Sequence, residues 1–546
     1  MSADQKATER RRRLERGAAF ADGKFVDPDR MTALLETVIG CGDIVCVEGD
    51  NQKQADFLSG CLAGMDPGKV NRLHMVLSTI SLGSQLDIFE KGIAELVDFS
   101  FSGPQGARMA RMAASGKVKI GNIHTYLELY SRYFTDLCPD VCCIAAEMAD
   151  REGNLYTGEN TEDTPVIAEA TAFKSGIVIA QVNRIVDKAP RVDIPAGWVD
   201  YICQSPRPFH LEPLFTRNPA EITESMILMA MMAMKGIYAK YLPRSLNHGV
   251  GFNTAAIELL LPTYGESLGL KGKACLHWLL NPHPTMIPAI ESGFVKTIYT
   301  VGSELGMRDY INTKPDIFPI GPDGSMRSNR AFGQMCGHYA TDMFIGASLQ
   351  IDPQGNSSTA TADRIAGFGG APNFGCDPRG RRHGSPAWLL AGKESYEGTG
   401  APPRGRRLVV QIVETFHGKM EPTFVEKLDA WELQKNAGFA LPPIMVYGDD
   451  VTHLVTEEGI AHLLLCRTPE EREQAVRGVA GYTPAGLARD RRAVENLRDR
   501  GIVQRAEDLG IRKNQATRDL LAARSIKDLV RWSNGLYNPP AKFRNW

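Results

Sequence analysis

The chain has 546 residues, 43% apolar and 23% charged, and its 62 basic and 64 acidic side chains leave a net charge of -2. This is the profile of an ordinary soluble globular protein, with a length prior of about three to four domains, or two larger ones. The even balance gives no global attraction to nucleic acid or an anionic membrane, and no stretch reaches the roughly 20 apolar residues that span a bilayer.

Arg10 to Arg13 have no apolar stretch after them, so no secretory signal is expected. Without aromatic neighbours the segment reads as a solvated arm. Asp43-Ile-Val-Cys-Val47 is a buried-strand pattern, followed by polar Glu48 to Gln54 and a helical Ala55 to Leu62. Gly176 to Val182, Val199 to Cys203 and Leu408 to Val413 are further strand-length runs. Strands alternating with helical patterns predict an α/β fold with mostly parallel sheets covered by helices.

Two prolines in Gln204-Ser-Pro-Arg-Pro-Phe-His210 break the pattern, so the expected division is an N-terminal domain, 1–215, and a C-terminal domain, 216–546. The second unit opens on Asn218-Pro-Ala-Glu221, a helix start, and a methionine-rich run, Met226 to Met234, read as a buried helix. Ile44 to Leu62 and Leu246 to Leu261 share a strand-turn-helix order, a weak internal duplication. Gly375 to Arg407 is rich in Gly, Pro and Arg and reads as loop. A charged helical tail begins at about Thr468, and the end, Asn538 to Trp546, is expected to pack on something.

The 11 cysteines lack paired C-x-x-C spacing and read as reduced thiols of a cytoplasmic protein. The 11 histidines are dispersed and no H-E-x-x-H occurs, so no metal is expected.

Two glycine runs carry the candidate chemistry. Arg364-Ile-Ala-Gly-Phe-Gly-Gly-Ala-Pro-Asn-Phe-Gly-Cys-Asp377 places Gly367, Gly369 and Gly370 within four positions, with Phe368 between them. Such a loop cradles a phosphate, holds an oxyanion, or is only a tight turn. In Asn247-His-Gly-Val-Gly-Phe-Asn253 the turn residues Gly249, Val250 and Gly251 run into Phe252, Asn253 and an apolar helix. That turn suits a phosphate, carboxylate or thioester oxygen, or is a plain connection. It lacks the third glycine of a dinucleotide fingerprint.

Together with Gly355-Asn356-Ser-Ser358 and Val455-Thr-Glu-Glu-Gly-Ile-Ala461, these loops resemble the family I CoA-transferases, in the acetate CoA-transferase and acetyl-CoA hydrolase branch. That resemblance implies two CoA-transferase-like domains, Gly367 to Gly370 as the oxyanion loop, and ligand contacts from Gly249 to Asn253, Asn356 and Gly346. In that family a glutamate is acylated. Here Ala274-Cys-Leu-His-Trp-Leu-Leu280 keeps His277 but places Leu279 where the glutamate belongs. Glu266, Glu291 and Glu304 are nearby in sequence, outside the motif.

A narrower resemblance runs nearly end to end. Glu48-Gly-Asp-Asn-Gln-Lys-Gln-Ala-Asp-Phe-Leu58 and Asn538 to Trp546 resemble the malonate decarboxylase alpha-subunit family. It implies a transferase that exchanges acetate for malonate on the thioester of an acyl carrier protein subunit, within a complex whose other subunits decarboxylate. The ligand is then CoA or a phosphoribosyl-dephospho-CoA arm, with no tightly bound cofactor and no nucleic-acid or membrane partner. With Leu279 in place of the nucleophile, malonate itself is expected to attack the acetyl thioester and form a mixed anhydride. Asn51, Gln52, His248 and His277, with Arg379, Arg381 and Arg382, are candidate substrate contacts. The competing expectations are a stand-alone CoA-transferase or hydrolase, a citrate lyase alpha-like exchange, and a non-catalytic carrier-binding subunit.

Overall fold

The computed structural model describes the chain apart from residues 1, 50–52, 159–160, 213–216, 300–303, 319–329, 378–383, 403, 419 and 545–546. Two sheets organise it. The first is built on Ile44–Val47 (β1), Leu73–Thr79 (β2), Ala94–Phe101 (β3), Lys119–Ile123 (β4), Val141–Asp150 (β5), Ile177–Val186 (β6) and Tyr201–Gln204 (β7). Their spatial order is β7-β6-β5-β1-β2-β3-β4, all neighbours parallel. The second contains Ser245–His248 (β8), His277–Leu279 (β9), Thr297–Tyr299 (β10), Met343–Gly346 (β11), Leu408–Ile412 (β12), His453–Thr456 (β13), Gly459–Ala461 (β14) and Val503–Gln504 (β15). Its order is β10-β9-β8-β11-β12-β13-β14-β15, parallel as far as β13 and antiparallel beyond.

In each sheet β1 or β8 sits between neighbours that the chain reaches in opposite directions, so the winding reverses beside it. The weak duplication read around Ile44 and Leu246 therefore corresponds to two sheets of like winding. In open α/β sheets the crevice beyond the carboxyl ends at such a reversal is where ligands bind. The two crevices here lie between β1 and β5 and between β8 and β11.

The strands are nearly continuous apolar runs because both faces are covered: every residue of β12 is buried, as are the first six of β6. Arg10 and Arg13 correct the solvated-arm expectation. They belong to a helix, Ala3–Gly17 (α1), in which Arg10 lies 2.6 Å from Asp200 and Arg13 pairs with Asp43, both on the first sheet's unit. A second helix, Tyr126–Thr135 (α2), follows β4.

The methionine-rich helix is Glu224–Ala233 (α3), with Ile227 to Ala233 all buried. It starts later than expected. Asn218 caps only a single 3-10 turn, Ile222 is extended, and Thr223 makes the actual cap to Met226. Phe252–Leu260 (α4) follows β8, and Arg330–Ala340 (α5) precedes β11. Ala371–Phe374 (α6) is a single turn after the second glycine run.

The expected loop from Gly375 to Arg407 contains an eleven-residue helix, Pro386–Tyr396 (α7). Ser385 caps it, Pro386 takes the first turn where no N–H is needed, and Ala387, Trp388 and Ala391 are buried. The tail does form helices, at Pro469–Val479 and Arg491–Asp499, and it also supplies strand β15. Near its end the amide of Asn538 donates to the carbonyl of Gly306 at 2.9 Å. Among the described residues no helix is long and apolar enough to cross a membrane.

Candidate functional site

The crevice of the first sheet is plugged. Glu48, directly after β1, accepts hydrogen bonds from the amide of Ala145 at 2.7 Å and from Thr164. Its carboxylate lies 3.2 Å from the ammonium of Lys53, with both side chains out of solvent. The crevice of the second sheet is lined by glycine instead.

There β8 ends at His248, and the amide of Gly249 donates to the carbonyl of Ile345 on β11 at 2.7 Å. A Cβ on Gly249 would lie 3.0 Å from the Cα of Gly346, so the two backbones meet closely only because neither carries a side chain. Gly251 then leads straight into α4, whose first amides precede any intrahelical acceptor. Val250 is 47% exposed at the rim.

A buried charge cluster fixes this turn from below. The carbonyl of Gly249 accepts from Arg217 Nη2 at 3.0 Å and from Thr254 Oγ1 at 2.6 Å. Arg217 Nη1 donates to Glu258, on α4, at 2.7 Å. Glu258 also accepts from His248 Nδ1 at 3.1 Å and from Thr285, and the His248 Nε2 accepts from Tyr238 at 2.8 Å. Burial alone would push the Glu258 carboxyl up, but the charge of Arg217 and bonds from the histidines outweigh it and hold it well below the usual carboxylate range. Burial pushes the His248 imidazole down, and burial with the charge of Arg217 lowers His283 to about 4. His248 therefore has both ring nitrogens engaged in supporting the turn.

One row of residues crosses the sheet at this level. Asn247 pairs with Phe344 in register, which sets Gly249 beside Gly346, and Gly346 pairs with Gln411 on β12. Gln411 is fully buried, and neither its Oε1 nor its Nε2 has a hydrogen-bond partner. Asn253 Nδ2 donates to the carbonyl of Ile412 at 3.3 Å, while its buried Oδ1 has no partner. Gln411 and Arg217 were not legible as site residues. The first is one polar residue in a β-branched run, and the second is 41 positions from its partner Glu258.

Leu279, at the end of β9, is buried in an apolar cluster with Phe344 and Phe374, and its carbonyl accepts from Asn247. No carboxylate stands there. Of the neighbouring glutamates, Glu266 is at the surface, 3.6 Å from Lys271, and Glu291 is bound by Tyr310 at 2.6 Å and Lys314 at 2.8 Å. Glu304 is buried and lies within electrostatic reach of Arg217.

The second glycine run crosses to the first sheet. Gly367 forms a bridge with Phe101 at the end of β3, and a Cβ on it would lie 2.5 Å from the carbonyl of Ser100. The amides of Phe368 and Gly369 both donate to that carbonyl, at 2.6 and 2.9 Å, so in this conformation they are engaged. The amides of Gly367 and Gly370 make no hydrogen bond among the described residues. Gly369, with φ +58, offers its carbonyl to the amide of Tyr126 at 3.2 Å. The guanidinium of Arg330 stacks 4.5 Å from the Tyr126 ring and pairs with Glu162 at 2.6 Å, tying α5 to the first sheet's unit.

Directly after Gly370, Phe374 stacks on Phe344 at 6.5 Å, and Phe368 packs against the same apolar cluster. The two glycine runs thus converge on one face of the second sheet. A cavity of 480 Å³ opens beside Phe368, between His124 and Arg132 on one side and Cys376 and Tyr447 on the other.

The remaining expected contacts lie elsewhere. His277 begins β9, at the opposite end of that strand from Leu279, and bonds Thr297 at 2.8 Å. Asn356 is spent on protein partners, donating to Asp352 in its own turn at 3.0 Å and accepting from the Gly448 amide of a distant loop at 2.8 Å. Asn51, Gln52, Arg379, Arg381 and Arg382 lie outside the described residues. Among the described residues no His, Cys, Asp and Glu group could hold a metal ion.

Comparison with known proteins gives the family. The family model described as "Malonate decarboxylase, alpha subunit, transporter" matches residues 2–546. The acetyl-S-ACP:malonate ACP transferase of Malonomonas rubra is 60% identical over 530 residues, 96% of each chain. A chain of a Pseudomonas malonate decarboxylase hetero-tetramer, solved in complex with malonate, is 56% identical and superposes with a TM-score of 0.96 over 99% of both chains. An acyl-CoA transferase from Escherichia coli O157:H7, 15% identical, shares the fold with a TM-score of 0.51 over 79% of this chain and 87% of its own.

Proposed function

The chain belongs to the malonate decarboxylase alpha-subunit family, and from that premise we propose that it moves an acyl carrier protein from acetate to malonate. The substrates are an acetyl thioester on the carrier subunit's CoA-like arm and free malonate; the products are the malonyl thioester and acetate. Other subunits of the same cytoplasmic complex then decarboxylate the malonyl group. The free state of all 11 cysteines supports a reducing compartment.

The observation that carries this reading is the crevice between β8 and β11. It is lined by close-packed backbone at Gly249 and Gly346, and Leu279, which the family resemblance aligns with the acylated glutamate, is buried in an apolar cluster. A carboxylate oxygen of malonate attacks the acetyl carbonyl carbon, the C–S bond breaks, and the carrier leaves as thiolate. The thiolate then attacks the malonyl carbonyl of the anhydride, and the bond between that carbon and the bridging oxygen breaks, so acetate leaves with the bridging oxygen. No water is consumed and no side chain is acylated. Negative charge develops on a carbonyl oxygen in each step, and preorganised donors there carry most of the catalysis. Of the two unengaged amides in the run, Gly367 and Gly370, that of Gly370 is the donor assigned to this oxygen, and the charge cluster of Arg217 and Glu258 holds the opposing turn in place.

The test is acyl exchange by the purified chain. With acetylated carrier and malonate it should yield malonyl-carrier and acetate in equal amounts. Exchange on free acetyl-CoA as fast as on the carrier would favour a stand-alone CoA-transferase, and no exchange at all would leave a binding subunit.

A further inference from the structure

We propose that Gln411 recognises an amide of the thioester-bearing arm, pairing its carboxamide with the arm's own N–H and C=O. This rests on the transfer reaction proposed above and adds a residue that fixes the arm. Buried polar side-chain atoms in folded proteins almost always have a partner. Gln411 is fully buried and both polar atoms of its amide lack one. An orphaned buried amide is costly, so such a group at a ligand crevice marks a partner that arrives with the ligand.

Its position fits that role. Gln411 follows Gly249 and Gly346 in one row across β8, β11 and β12. Strands spaced about 4.8 Å apart put it roughly 10 Å from the Gly249 turn. Gly249 and Gly346 carry no side chain to block an extended ligand lying across the strand ends. Gln411 lies on the face that carries Val409 and Phe344, towards which the Gly367 to Gly370 run converges. A thioester held at the glycine turns, with its arm extended along this row, would present a secondary amide to Gln411.

The chemistry of the orphaned atoms selects the amide over the acid. A dicarboxylate accepts hydrogen bonds only, so it would satisfy Gln411 Nε2 and leave Oε1 unpaired. The neighbouring Asn253 Oδ1 is a second orphaned acceptor. The site therefore asks for a ligand that donates as well as accepts. A secondary amide does both, whereas malonate does not.

The test uses the full chain and dephospho-CoA, which carries two such amides. Gln411→Met keeps the side-chain volume and removes both hydrogen-bonding atoms. It should bind dephospho-CoA about tenfold more weakly than the wild type, the size of a lost amide pair, while its Tm stays level or rises because an unpaired polar group is gone. In the exchange assay the KM for malonate should not change. Unchanged dephospho-CoA affinity would overturn the proposal, as would a raised malonate KM with arm binding intact. A lowered Tm with unchanged affinity would show a structural side chain and also overturn it. If the wild type binds dephospho-CoA but exchanges nothing, the transfer reaction fails while the role of Gln411 is still decided by the binding comparison.

Discussion

Arg217 and Glu258 form an ion pair at 2.7 Å with both side chains shut off from solvent, and the second arm of the same guanidinium holds the carbonyl of Gly249 at 3.0 Å. One residue thus connects a buried carboxylate to the glycine turn. Removing one partner of such a pair leaves an uncompensated buried charge, at a cost of about 3–5 kcal/mol. Arg217→Met should lower stability by that order in urea unfolding and lose transfer at temperatures where the variant is still folded. A folded Arg217→Met variant with full activity would show that the turn needs no such support.

The same cluster sets a pH dependence. Glu258 titrates well below the ordinary carboxylate range when folded, so its contribution is present above about pH 4.5 and is lost on further acidification. His283 is lowered from 6.5 to about 4, so folding favours its neutral form; that contribution is complete above pH 6.5 and vanishes as pH falls towards 4. The span corresponds to at most about 3 kcal/mol. His462, lowered to about 4 by burial, acts in the same direction. His124 is opposed by burial but raised overall by Asp98 and Glu128, so its contribution is present in acid and lost as pH rises through its folded value. Thermal unfolding followed from pH 7.5 to 4.5 should show Tm falling below pH 6.5, and His283→Asn should flatten that slope.

Gly369 occupies a left-handed backbone conformation, φ +58, beside the Tyr126 ring. A β-branched side chain is strained there by about 1–3 kcal/mol, and relief of that strain would move the neighbouring Gly370 amide. Gly369→Val should keep its circular dichroism and lose transfer by about a hundredfold or more, the value of one misplaced oxyanion donor. Gly370→Ala, at φ -87, meets the end of the Gln334 side chain at 2.8 Å and the edge of the Phe374 ring at 3.0 Å, so it should fold once the Gln334 amide gives way.

Trapping with hydroxylamine after incubation with acetyl-carrier should yield no glutamyl hydroxamate. Glu266 and Glu291 are held in surface or side-chain pairs away from the turn, so neither is placed to be acylated. A hydroxamate mapped to Glu304, the buried glutamate near Arg217, would overturn direct attack by malonate.

Close backbone approach leaves a mark in sequence: Gly249 and Gly367, in the two glycine runs, are each required by a contact that a Cβ would fill, whereas Gly346 was reached only through the family resemblance. The strands were readable because parallel sheets bury both faces. The misreadings share a cause. Arg10 and Arg13 look like an exposed basic arm until Asp200 and Asp43, far away in the chain, are seen to pair with them. The helix Pro386–Tyr396 was hidden by the glycines and arginines around it, although Ser385 and Pro386 are themselves a start signal. His277 matched a motif, but the strand register puts it at the far end from the turn. Gln411 left no local signal, since its distinction is the absence of a partner.

Direct attack by malonate predicts where the oxygen of the released acetate comes from. In a single turnover with acetyl-carrier and malonate labelled with ¹⁸O in its carboxylates, the bridging anhydride oxygen is malonate's, so each acetate should leave with one labelled oxygen. Unlabelled first-turnover acetate, with the label retained on the protein, would mean that a side chain carried the acyl group and would contradict the account.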